Sequence, residues 1–151
     1  MSAYEFQFLS PEMQKQCASM RRAMDKHISF IAGTPAEIND PDNMACIRIW
    51  KPGKFNKDDV RMHAGIPYRC KQGHDSTANP GWTPDVEKAL WGHYHGTTPE
   101  TARPFEADSA NMYQIGEYCT ENGGIYLNNY ADNVYAPSVL PERWTYIRAT
   151  A

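Results

Sequence analysis

The chain repeats itself. Without a gap, FNKDDVRMHAGIPYRCKQGH from Phe55 lies against YQIGEYCTENGGIYLNNYAD from Tyr113, so that Phe55 meets Tyr113, Gly65 meets Gly123 and Tyr68 meets Tyr126. After one deletion, WTPDVEKALW from Trp82 falls on YAPSVLPERW from Tyr135, and Trp82 meets Tyr135, Pro84 meets Pro137, Val86 meets Val139 and Trp91 meets Trp144. Rings, glycines and prolines recurring at fixed intervals constrain the fold strongly, because each copy must be one small structural unit. Two copies of one module are expected, in 47–95 and 105–148. A connector at 96–104 joins them, and a helical segment at 1–46 precedes them.

Aromatic residues make up 12% of the chain, and glycine and proline number 10 and 11. Long runs of Leu, Ile and Val are missing, so short strands and turns are expected rather than a large helical or doubly wound core. VRMHAGIPYRC and EYCTENGGIYL read as hairpins, since β-forming stretches flank Ala-Gly or Asn-Gly-Gly, which supply the positive φ of a tight turn. Pro67 cannot donate to a ladder and places its strand at an edge or irregular position. GHYHGTTPETARPFEADSAN reads as a polar connector that keeps the two module cores apart.

SPEMQKQCASMRRAMDKHISFIAG is the one clear helix, with Ser10 as N-cap, Pro11 at the first helical position and Gly33 as a stop. Met13, Cys17, Met20, Met24, Ile28 and Ile31 form one apolar stripe along it. Two covers compete for this stripe: the same chain, through a helical turn begun by Asp40 and Pro41, or another chain in a homo-oligomer or larger assembly. The net charge of −3 and the scattered Lys and Arg give no basic footprint for nucleic acid. No membrane insertion and no signal peptide are expected, as no apolar run approaches a membrane span and MSAYEFQFLSPEM lacks a basic start and an apolar stretch. Cys17, Cys46, Cys70 and Cys119 lack a C-x-x-C pair and are expected as free thiols.

An initial aromatic, a second aromatic before a short strand, a Gly turn, Tyr-x-Cys, a His, Gly-Trp-x-Pro and Ala-Leu-Trp follow in order as Trp50, Phe55, Gly65, Tyr68, Cys70, His74, Gly81, Trp82, Pro84, Ala89, Leu90 and Trp91. This run resembles the small chitin-binding modules of bacterial chitinases, carbohydrate-binding families 5 and 12. The second copy resembles them more weakly, through Phe105, Tyr113, Gly123, Tyr126, Tyr135, Pro137 and Trp144, with Asp132 aligned on the His. A helical N-terminus followed by two such modules, without a catalytic domain, also resembles phage and prophage proteins encoded near virion genes.

The resemblance implies a mainly β fold: two small twisted antiparallel modules in tandem behind an N-terminal α-helix. It implies binding of β-linked amino-sugar polysaccharide, with Trp82 in contact with ligand, His74 and Pro84 supporting it, and Trp91 in the core. In the second copy it implies Tyr135 and Pro137 as binders and Trp144 as core. Tyr130, in a polar stretch after LNN, is a further candidate stacking ring.

Physically, a flat aromatic face stacks on the C–H face of a pyranose while the sugar hydroxyls keep their hydrogen bonds. A turn fixed by Gly and Pro loses little entropy on binding. Against this stands the demand of a small domain for every large ring in its core. Catalysis is not expected: a glycosidase needs two carboxyl groups ~5–10 Å apart across a cleft, for which such modules have little material. His93 and His95 lack a third metal ligand in the sequence, so neither metal nor cofactor is expected. The sequence thus points to a non-catalytic glycan-binding virion protein, docked on other virion proteins through its helix and assembled in the host cytoplasm. The rival is a head or tail decoration protein whose modules contact only protein.

Overall fold

The computed structural model describes residues 9–151, and its fold is mainly β behind one long helix. Helix α1 spans Pro11–Ile31; Ser10 caps it by accepting from Met13 N at 3.2 Å, and Pro11 occupies the first turn. Two single turns follow, α2 at Pro35–Ile38 and α3 at Pro41–Met44. As expected, Asp40 starts the latter, its carboxylate accepting from Asp42 N and Asn43 N.

The apolar stripe of α1 is divided. Ile28 and Ile31 are buried against Ile38, Ile47, Val60 and Tyr94, with Met44, Cys46 and Met62 at the margin. Met13 and Met20, farther along the same stripe, are exposed. Among the described residues, the chain therefore buries the C-terminal part of the helix and leaves Met13 and Met20 uncovered.

The first module contains β1 (Lys54–Phe55), β2 (Val60–His63), β3 (Ile66–Cys70), β4 (His74–Asp75) and β5 (Trp91–His93). The second contains β6 (Arg103–Pro104), β7 (Tyr118–Glu121), β8 (Gly124–Asn128) and β9 (Trp144–Ala149). Strands order as β1-β4, β2-β3-β5 and β6-β7-β8-β9.

The repeat is geometric as well as textual. Both hairpins turn through two residues of positive φ, Ala64 (49°) and Gly65 (78°) in one, Asn122 (49°) and Gly123 (78°) in the other. These are the values a two-residue turn needs to match the twist of its strands. Cys70 pairs with Trp91 as Asn128 pairs with Trp144. Asn56 N donates to the Asp59 carboxylate at 2.8 Å, and Gln114 N to the Glu117 carboxylate at 2.9 Å. Each core is built around a trio of rings, Trp50, Phe55 and Trp91 with Tyr68 beside them, against Phe105, Tyr113 and Trp144 with Tyr126 beside them. Phe55 meets Trp91 edge-on at 5.0 Å, and Tyr113 meets Trp144 edge-on at 5.3 Å.

The modules are antiparallel apart from the segment entering each, which pairs parallel: Ile49 bridges Met62, and Pro104 pairs with Thr120. Three expectations need correction. Pro67 does not place its strand at an edge, since β3 is central in the order β2-β3-β5. The position paired with Phe55 is His74, whereas the one bridging Tyr113 is Asn133, so Asn133 and not Asp132 stands in the place of the His. Finally, 96–104 is no separate connector, since Gly96 bridges Tyr118 and β6 joins the second sheet. A Cβ on Gly96 would lie 2.3 Å from Thr101 O, so only glycine fits there.

His93, Tyr94, His95 and Arg103 are buried where the modules and the helical segment meet. Arg103 donates to Tyr94 O and to Asn39 Oδ1, Asn39 Nδ2 donates to His95 O at 2.9 Å, and Tyr94 Oη donates to Ala32 O at 2.7 Å. His95 stacks on Tyr113 with ring centroids 3.6 Å apart, and its Nδ1 lies 2.6 Å from the Glu117 carboxylate. A polar segment is thus buried with most of its polar groups partnered across the joint, the His93 and His95 Nε2 atoms excepted. All four cysteines are free.

Candidate functional site

The ring trios fix the cores, and the loop between β4 and β5 carries Trp82 out of the first. Asn79 N donates to Ser76 O and Trp82 N to Asn79 O, winding the chain into consecutive turns. Val86 N and Glu87 N then both donate to Thr83 O, and Trp91 N donates to Glu87 O. Pro84 is buried beneath this loop, while the Trp82 ring is 37% exposed. The Thr83 side chain, with smaller help from His63 at 3.1 Å, holds the Asp85 carboxyl below its usual range and braces the turn.

The second module builds the same loop. Val139 N and Leu140 N donate to Ala136 O, and Arg143 N donates to Leu140 O as Leu90 N does to Glu87 O. Tyr135 is 47% exposed, Pro137 is buried, and Val139 is exposed as Val86 is. Each module therefore presents an aromatic ring and a valine four residues later at its surface. Large apolar groups are thus exposed at the same positions in both copies.

The six residues singled out in the sequence divide by environment. Trp82 and Tyr135 are exposed at equivalent positions, and Tyr130 is exposed as well. Pro84 and Pro137 are buried, so they shape the turns from below and present no face to a ligand. His74 packs against Phe55 at 5.4 Å and Trp91 at 5.6 Å, with Nδ1 2.7 Å from Gln72 O, and so supports the core.

Tyr130 and Tyr135 are brought together by a residue that sequence reasoning missed. The Arg143 guanidinium lies 4.7 Å from the Tyr130 ring centroid and 5.4 Å from that of Tyr135. Only the repeat register hinted at it, since Arg143 takes the slot held by Leu90, which packs against the first core. The Tyr135 loop is also pinned from behind: Trp144 Nε1 donates to Tyr135 O at 2.9 Å.

Burial pushes the Cys70 thiol up, away from the thiolate a nucleophile needs. Among the described residues, no group of three or more His, Cys, Asp or Glu side chains is placed to hold a metal ion. No described helix is long and apolar enough to cross a membrane. No protein-family model matches the chain, and no curated protein matches it in sequence.

Proposed function

We propose that the protein is a non-catalytic glycan-binding protein whose two modules each offer an aromatic stacking platform to a β-linked amino-sugar polysaccharide on a cell surface. The observation that carries this reading is the paired exposure of Trp82 and Tyr135 at equivalent positions on hydrogen-bonded turns. Stacking on a pyranose needs an exposed ring already held in place, and both turns supply one. Two weak sites on one chain gain avidity when a repetitive polymer reaches both. The exposed N-terminal part of α1 suits attachment to a larger assembly or to further copies of the chain, and a virion is the proposed setting.

Pull-down on insoluble chitin tests the reading. Trp82→Ala should lower retention about tenfold, and Trp82→Ala with Tyr135→Ala should abolish it, with melting temperatures within a few degrees of the parent because both rings are largely outside the cores. Full retention by the double variant would remove these rings from the site. The decoration-protein alternative predicts instead no retention by the parent protein.

A further inference from the structure

In the second module, the slot filled by a core-packing leucine in the first carries a charge. Leu90 and Arg143 sit at the same step of the same loop, each donating its backbone N–H three residues back. Leu90 turns inward to the ring core. Arg143 instead lies across the rings of Tyr130 and Tyr135, both about half exposed.

The Arg143 guanidinium is unusual among the described arginines. Arg21, Arg48, Arg69 and Arg148 pair with carboxylates. Arg22 bonds to a hydroxyl, Arg61 to a carbonyl, and Arg103 to a carbonyl and an amide oxygen. Among the described arginines, Arg143 alone has neither a carboxylate nor a side-chain hydrogen-bond acceptor; its guanidinium lies over the two rings. The guanidinium lies over both rings while its N–H groups find no acceptor in the protein, and that N–H fork is what recognises a carboxylate. Gln72, which takes the Tyr130 position in the first module, gives no second ring, so the charged platform belongs to the second module alone.

We propose that Arg143 is a specificity-determining residue that makes the Tyr130–Tyr135 platform select acidic sugars, those bearing a carboxylate on or beside the pyranose ring, while the Trp82 platform takes neutral ones. This rests on the glycan-binding reading above. A polymer in which acidic and neutral amino sugars alternate would engage both modules, and neither module would be a redundant copy of the other.

The test uses the full chain and two insoluble probes with the same backbone: chitin, and chitin oxidised at C6 to the carboxylate. The parent protein should bind the oxidised polymer about tenfold more tightly at low salt, the ratio shrinking at high salt as a charge contact requires. Arg143→Leu, which installs the first module's residue, and Arg143→Gln, which keeps a polar planar group, should both remove that preference while retention on plain chitin persists. Trp82→Ala should weaken retention on plain chitin, as above, and leave retention on the oxidised polymer little changed. Equal binding of both polymers by the parent, or a preference that survives both Arg143 substitutions, would overturn the role of Arg143 and leave the glycan-binding reading standing. Binding of neither polymer would overturn that reading and this inference with it.

Discussion

The two modules trace one backbone path with different interior chemistry. In the first, Cys70 Sγ donates to Gln72 O at 3.1 Å and lies 3.7 Å from His74 Nδ1. In the second, Asn128 takes the cysteine's place, donating to Gln114 O at 2.8 Å and to Tyr130 O at 2.5 Å, and accepting from Asn133 Nδ2 at 2.8 Å. A packed thiol and imidazole have been exchanged for a fully bonded amide pair. What both copies keep is the ring trio, the two-residue turn and the proline under the exposed aromatic. The path is therefore set by ring packing and turn geometry, and the remaining interior positions need only be filled and satisfied.

The largest expected effect attacks the idea that the modules are separate units at all. His95→Ala leaves a cavity against Tyr113 and removes one of the two hydrogen bonds to the buried Glu117 carboxylate, Gln114 N keeping the other, a loss of about 4 kcal/mol. Thermal unfolding of the parent should be a single transition; two well-separated ones would restore the picture of independent modules. The same joint predicts a pH dependence. Burial holds the His95 imidazole below its ordinary pKa, outweighing the Glu117 hydrogen bond that raises it, with His93 and Arg103 lowering it further. The folded state thus prefers neutral His95, so this contribution is intact above pH ~6.5 and is lost as pH falls below that value, where the unfolded chain takes up the proton. Denaturant midpoints measured from pH 8 to 5 should fall on the acid side, and His95→Ala should flatten that part of the profile.

The next effect separates the two interiors. Asn128→Ala strands Gln114 O, Tyr130 O and Asn133 Nδ2, costing about 3 kcal/mol, whereas Cys70→Ala removes one weak donor and some volume and costs about 1 kcal/mol. Equal losses by urea denaturation would mean that the amide network carries no more than the thiol did. A smaller difference concerns the core indoles. Trp144 Nε1 donates to Tyr135 O, while the buried Trp91 Nε1 has no partner. Trp144→Phe and Trp91→Phe lose the same ring volume, so the excess cost of the former, about 1 kcal/mol, isolates the bond that pins the Tyr135 loop. The smallest effect is in the turns: Ala64→Asn, which copies Asn122, should stabilise by about 0.5 kcal/mol because asparagine tolerates positive φ better than alanine.

The sequence by itself determined the repeated unit, the hairpins with their positive-φ turns, the caps of α1 and α3, and the exposed aromatics Trp82, Tyr130 and Tyr135. These rest on local rules: turn chemistry, capping and the identity of aligned rings are all written within a few residues. Tertiary structure alone decided the rest. It buried His95 and Arg103, which read as part of a polar connector, because their partners Glu117 and Asn39 lie outside that stretch. It put Asn133 in the place of the first module's His, because a ladder bridge and not an alignment column fixes that register. It set Arg143 over two rings of the β8–β9 connection, an arrangement that no local pattern encodes. Burial and stacking are sums over neighbours brought in by the fold, so they could be read only once the chain had closed on itself.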